Sequence, residues 1–249
     1  MNKLTLYYNG GESVDTLEAK VMAFRFPKDA RRKSLLEISE ISGIAPKKAS
    51  SIIEKALLCG KEEALKDNQG DEEELILVGF DKSQPVYFSL EKLGHVFVNG
   101  SAGVGKTVLF ENLIKQAHEK ENYNVIVFDN KSVEYHRFKD IVEVITDPFK
   151  LIERVENLSR IHDSRKMIVF IDEGYSLFYD ARNCEAILKA MSSDSGIQFF
   201  ISSQVATTFE RFKGVAKTII QFCYLSKSKA LIKDKAAKEL AMGEFLIKQ

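Results

Sequence analysis

From residue 75 onward the chain repeats one pattern: a short, almost unbroken apolar run, a polar break, then apolar residues at helical spacing. The runs fall at 75–80, 85–90, 95–99, 124–129, 167–173, 197–202, 218–224 and 244–247. Between them, 108–114, 151–161 and 184–191 carry apolar residues three and four apart. Continuous runs alternating with amphipathic segments predict a parallel sheet covered by helices on both faces. In such sheets ligands sit at the carboxyl ends of the strands, so polar residues closing an apolar run are the first candidates for chemistry.

The first 70 residues have a different texture. Leu4-Thr5-Leu6-Tyr7-Tyr8 reads as a short strand before the turn Asn9-Gly10-Gly11, and Ala23-Phe24-Arg25-Phe26 as another, closed by Pro27. Residues 31–66 read as two helices broken at Ser42-Gly43-Ile44, the second starting near Pro46 with Ala49, Ile52, Ile53, Ala56 and Leu57 on one face. Such a pair is either a helical hairpin packed on the main domain or a helix-turn-helix that sets Lys47 and Lys48 near a phosphate backbone. Ser39 and Ser42 stand where a DNA-reading pair normally packs small or apolar residues. The acidic stretch 66–74 reads as a linker. The expected organisation is a small N-terminal segment, 1–70, and a larger α/β domain, 71–249.

Composition narrows the picture only a little. The 249 residues carry 36 basic and 36 acidic side chains, so net charge gives no sign of a polyanion binder. Hydrophobic residues make up 45%, enough to fill a proper core. The cysteines Cys59, Cys184 and Cys223 form no CxxC pair and read as reduced core residues of a cytoplasmic protein. No apolar run approaches the roughly 18 to 20 residues of a membrane span. Work at the inner face of a membrane would need recruitment by partners.

The organising motif is Gly100-Ser101-Ala102-Gly103-Val104-Gly105-Lys106-Thr107, placed between the run 95–99 and the helical pattern from Val108. Strand, glycine-rich loop and helix stand in the order a phosphate-binding P-loop requires. Glycines let successive backbone N–H groups turn toward an anion, and the helix start adds its positive dipole end. Lys106 is expected at the β- and γ-phosphates of ATP and the Thr107 hydroxyl on Mg²⁺. Two carboxylates, Asp172 and Glu173, close the run that begins at Met167. Carboxylates at a buried strand end are costly unless a cation answers them. They read as a Walker B pair, Asp172 ordering the Mg²⁺ shell and Glu173 acting as general base toward water. Gln204 follows the run ending in Ser202, where an amide reaches both γ-phosphate and attacking water. A third polar cluster, Asp129-Asn130-Lys131-Ser132-Val133-Glu134-Tyr135, follows a strand expected beside the P-loop strand. It faces either the nucleotide or a subunit boundary, and a solvated turn is its default reading.

Taken together these residues resemble the FtsK/SpoIIIE family of ring-forming, RecA-like motor ATPases over about 75–249. The stretch from Pro85 to His95 looks like the family's lead-in, where a histidine precedes the P-loop strand. Asp129-Asn130-Lys131 is similar to its Asp-Pro-Lys element, with Asn130 for proline. Ile171-Asp172-Glu173 resembles its Walker B and Ser203-Gln204 its polar pair. Ala236 to Leu246 resembles the closing segment, where a glycine precedes the last strand. The resemblance implies a RecA-like P-loop NTPase fold and an Mg²⁺-dependent ATPase driving translocation of protein or double-stranded DNA. It also implies self-association or neighbouring ATPase modules in a ring, attached to a secretion or conjugation apparatus. The short connection from Asp129 to the Walker B strand looks more like a type VII secretion module of the EssC/EccC branch, or a small stand-alone relative, than like a DNA pump. Thr218, Ala230 and Val205 stand where DNA pumps carry arginines. That leaves Lys217, Lys229 or Arg211 to act on a neighbour's phosphates, or hydrolysis slow. The alternative expectation is therefore a nucleotide-binding, poorly hydrolysing module that recruits a substrate or partner.

Overall fold

A computed structural model describes residues 2–5, 75–81, 84–160, 166–222, 240 and 244–249. The strands β1 (Asn2–Thr5), β2 (Leu75–Asp81), β3 (Gln84–Ser89), β4 (Val96–Asn99), β5 (Tyr123–Asp129), β6 (Glu143–Ile145), β7 (Lys166–Asp172), β8 (Ile197–Ser203), β9 (Thr218–Phe222) and β10 (Glu244–Lys248) form one sheet. Their order is β3-β2-β1-β10-β9-β4-β8-β7-β5-β6. From β9 to β6 every pairing is parallel. The remaining strands extend the sheet antiparallel from β9 through β10, β1 and β2 to β3. The helices are α1 (Leu90–Leu93), α2 (Lys106–His118), α3 (Pro148–Leu158), α4 (Ala181–Ser192) and α5 (Ala206–Phe212).

The apolar runs are continuous because both sheet faces are covered. Neighbouring residues of one strand enter different cores. Val98 and Phe170 join the core under α2, with Leu109, Leu113 and Ile114. Phe97, Val169 and Ile171 join the core under α3, α4 and α5, with Leu151, Val155, Ile187 and Phe212. The α/β class and the mostly parallel sheet expected from the sequence are both present. Helices α3 and α4 begin earlier than apolar spacing alone predicts. Asp147 caps α3 through Phe149 N–H (2.8 Å), with Pro148 in its first turn, and Asp180 caps α4 through Arg182 N–H (2.9 Å).

Strand order departs from expectation in one respect that matters. β5 does not lie beside the P-loop strand β4; β8 and β7 stand between them. The chain leaves α2, skips two positions, and fills the central slots later. β8 is therefore flanked by the strand leading into the P-loop and the strand ending in Asp172. The three-residue β6 has no counterpart in the apolar pattern, being too short and headed by the exposed Glu143. The strand expected at 4–8 meets β1 only at Leu4 and Thr5, residues 6–8 lying outside the described residues, and β1 (Asn2–Thr5) belongs to the main sheet. The readings at 23–26, 31–66 and 66–74, and Cys59 and Cys223, fall outside the described residues.

His95 shows how the P-loop strand is seated. Its Nδ1 accepts the Phe199 N–H (3.2 Å), so its proton lies on Nε2, which donates to Met191 O (2.9 Å). The ring is neutral, and burial lowers its pKa from the ordinary 6.5. On acidification the unfolded chain takes the proton first. The stability His95 contributes is thus complete above about 6.5 and lost as pH falls through the folded value. Urea midpoints should fall between pH 7.5 and pH 5.5, and fall less in His95→Gln. An equal pH dependence in the two proteins would exclude His95 as a source.

Candidate nucleotide-binding site

The loop 100–107 leaves β4 and enters α2. Gly103 (φ 73°) and Gly105 (φ 115°, the residue capping α2) hold left-handed conformations that side chains resist. Gly100 answers a different constraint: a Cβ there would lie 2.6 Å from the Phe222 Cβ, so the end of β9 presses on the loop. Val104 is buried and pins the loop to the core, while Ala102 and Gly103 are exposed and Ser101 half-buried. Lys106 is only 4% exposed. Its Nζ donates to Gly100 O (3.0 Å) and Ser101 O (2.9 Å) and lies 3.7 Å from Glu173 Oε1. Burial pulls its pKa down, opposed chiefly by the charges of Glu173 and Asp172.

Asp172 ends β7 with its carboxylate buried, and each oxygen is held from two sides. Oδ2 accepts from the Thr107 hydroxyl (2.9 Å) and the Tyr135 hydroxyl (2.7 Å). Oδ1 accepts from the Ser202 hydroxyl and from Glu173 N–H (3.0 Å). Four donors fill the capacity of a carboxylate. Glu173 then adopts φ 51°, unusual without glycine, held by its N–H bonds to Asp172 and to Ser202 Oγ (3.0 Å). The turn aims its side chain across the end of β8, where Gln204 Nε2 donates to Glu173 Oε1 (2.7 Å). Because β8 lies between β4 and β7, its end is where one amide can meet the Glu173 carboxylate beside Lys106.

The third cluster is not a solvated turn. Asn130, Lys131, Ser132 and Val133 are exposed, but Asp129 (3%) and Tyr135 (0%) are buried. Asp129 accepts Lys131 N–H (3.1 Å) and Tyr135 N–H (3.0 Å), closing the loop on itself. Lys131 pairs with Glu134 (3.0 Å), whose other oxygen lies 3.4 Å from Thr107 Oγ1. That pairing raises the Lys131 pKa. Tyr135 titrates well above its ordinary value, through burial first and the Asp172 charge second.

The loop 100–107, Asp172, Glu173 and Gln204 thus meet at one place. The candidate cations do not join them. Arg211 donates to Phe178 O (2.7 Å) in its own chain, and Lys217 precedes β9, at the amino ends of the strands beside Gly94 and away from the loop 100–107 at their carboxyl ends. Lys229 and Ala230 lie outside the described residues. Tyr135 and Ser202 belong to polar clusters named from the sequence, but neither was given a role there; the structure makes both contacts of Asp172. Ser202 closes an apolar run and was open to inspection; nothing in the spacing marks Tyr135.

The site fits a hard divalent cation. Thr107 spends its hydroxyl hydrogen on Asp172, leaving its oxygen lone pairs available. Among the described residues no group of three or more His, Cys, Asp or Glu could hold a metal alone, so most ligands would come from phosphate and water.

Residues 74–174 match the family model described as Helicase HerA, central domain. The fold matches the pCW3 conjugation coupling protein TcpA with ATPγS (TM-score 0.61, 16% identity, 72% of this chain, 64% of that one). It matches EssC, ATPases 2 and 3, from Geobacillus thermodenitrificans (0.58, 15%, 70% and 42%). It also matches the genome packaging NTPase B204 of Sulfolobus turreted icosahedral virus 2 with AMP (0.52, 20%, 64% and 93%). The chain covers less than two thirds of the TcpA and EssC structures. No curated protein matches it. The resemblance to FtsK/SpoIIIE-type ATPases read from the motifs is borne out, and the fold is that of a P-loop ATPase. No described helix is long and apolar enough to cross a membrane.

Proposed function

We propose that this chain is an Mg²⁺-dependent ATPase domain that drives translocation of a polymer, either protein or DNA. The observation that carries the reading is the convergence on Asp172 and Glu173 of three separate strand ends: Thr107 and Lys106 from the loop after β4, the carboxylates of β7, and Gln204 after β8. The backbone of residues 100–107 and Lys106 would hold the β- and γ-phosphates. When bound, Mg²⁺ supplies charge neutralisation on the phosphates, with Thr107 as its protein ligand and Asp172 in the shell behind. The Glu173 carboxylate takes a proton from water as its oxygen attacks the γ-phosphorus. The bond to the bridging β–γ oxygen breaks and ADP leaves. Gln204 holds Glu173 in line through its 2.7 Å bond and presents its amide to the same water.

A single module cannot advance a polymer processively, so partners are part of the proposal: copies of this chain or neighbouring ATPase modules, within a secretion or conjugation apparatus. ATP turnover over a range of protein concentrations, with and without double-stranded DNA, tests this. Turnover per subunit should rise steeply with concentration. Stimulation by DNA assigns a nucleic-acid substrate, and indifference to DNA a protein one. Turnover that is flat in concentration would exclude a shared site.

One observation favours a second reading, a nucleotide-binding module with little hydrolysis. Arg211 is engaged by Phe178 O in the same chain, and Lys217 stands at the amino ends of the strands, opposite the end that carries the site. ATP binding without turnover at any concentration would select it.

A further inference from the structure

Tyr135 links the two carboxylates that close adjacent strands. β5 and β7 pair in register so that Asp129 stands opposite Asp172. Tyr135 reaches both: its N–H donates to Asp129 Oδ2 (3.0 Å) and its hydroxyl to Asp172 Oδ2 (2.7 Å). The ring is wholly buried in the core under α2, beside Phe138.

We propose that Tyr135 is a positioning residue for Asp172, anchored by Asp129, and that it sets how strongly Mg²⁺ and nucleotide reinforce each other at this site. The inference rests on the reading of the site given above. Thr107 Oγ1 has two acceptors within reach, Asp172 Oδ2 at 2.9 Å and Glu134 Oε2 at 3.4 Å. A carboxylate turns readily about its last torsion. With Tyr135 pinning Oδ2, the Thr107 hydrogen points at Asp172 and the oxygen lone pairs have one fixed direction. Without the phenol, Oδ1 is still held by Ser202 and Glu173 N–H, but Oδ2 keeps only Thr107; the carboxylate can tilt about its held oxygen, and Thr107 can turn its hydrogen to Glu134. The oxygen that should meet the cation is then misaimed. The simpler account is a buried hydroxyl satisfied by the nearest acceptor. It predicts a loss of stability, with nucleotide affinity changed equally with and without metal.

The test measures affinity for a fluorescent, non-hydrolysable ATP analogue in Mg²⁺ and in EDTA, for wild type, Tyr135→Phe and Asp129→Asn. Wild type should gain affinity from Mg²⁺. In Tyr135→Phe that gain should shrink about tenfold, the scale of one hydrogen bond to a charged group, while affinity in EDTA stays within about twofold. Asp129→Asn should shrink it in the same direction, and reads the same quantity should Tyr135→Phe not fold. In an Asp172→Ala background, Tyr135→Phe should change nothing further. An unaltered gain in a folded Tyr135→Phe protein, equal losses with and without Mg²⁺, or additivity with Asp172→Ala would each overturn the role of Tyr135 alone. A wild type that gains nothing from Mg²⁺ would overturn the reading of the site and this inference with it.

Discussion

Lys106→Ala should lose affinity for Mg²⁺–ATP by about 100-fold or more. The expectation comes from where the ammonium sits. Lys106 is 4% exposed, lowered in pKa by burial, and its donors are directed at Gly100 O and Ser101 O inside its own loop. A phosphate chain cradled by that loop would meet the charge with little water between them. Removing one partner of a buried, hydrogen-bonded charge pair costs about 2–5 kcal/mol. Stability should move far less. Deleting the side chain removes a desolvated ammonium, which favours the fold, and leaves two carbonyls without that donor, which opposes it. The urea midpoint should therefore stay close to wild type while titration with a fluorescent ATP analogue shows the loss. Ordinary analogue affinity in a folded Lys106→Ala protein would remove the nucleotide site altogether. Lys106→Arg should not restore binding, because the guanidinium is larger and planar and the space is closed.

The sequence made the sheet legible because burial on both faces writes itself as unbroken apolar runs. The runs around β2, β4, β5, β7, β8 and β10 are found within one or two residues of where that pattern sets them. The loop 100–107 was legible for a related reason: glycine, lysine and threonine each answer a local requirement of φ or charge. Strand order was not legible. Which strands fill the slots between β4 and β5 depends on packing among residues far apart in the chain, and the placement of Asp129 beside the P-loop strand was mistaken on that account. Tyr135 was hidden for the same reason. Its significance lies in the register that sets Asp129 opposite Asp172, a long-range fact that no window of sequence contains. The antiparallel extension through β10 and β1 likewise joins opposite ends of the chain.

Glu173→Gln should leave nucleotide binding intact and lower turnover by about 10²- to 10⁴-fold, the usual contribution of a positioned general base. The backbone carries part of the argument. A non-glycine residue at φ 51° is disfavoured, and Glu173 is held there by its N–H bonds to Asp172 Oδ1 and Ser202 Oγ, with Gly174 N–H on Ser202 O (2.8 Å). Strain of this kind persists where surrounding contacts over-determine it, and it aims one side chain. Here it turns the carboxylate toward Lys106 and Gln204 rather than along the strand. Glutamine fits the same turn and its carbonyl can still accept from Gln204, so geometry survives while basicity is lost. Affinity should hold or tighten a few-fold, because the Glu173 carboxylate lies 3.7 Å from Lys106 and competes with phosphate for its charge. Binding and single-turnover hydrolysis measured on the same preparation separate the two effects. Unchanged turnover would remove Glu173 as the base. Binding and turnover lost together would mean that the Lys106–Glu173 contact builds the pocket, and that the chemistry rests on another group.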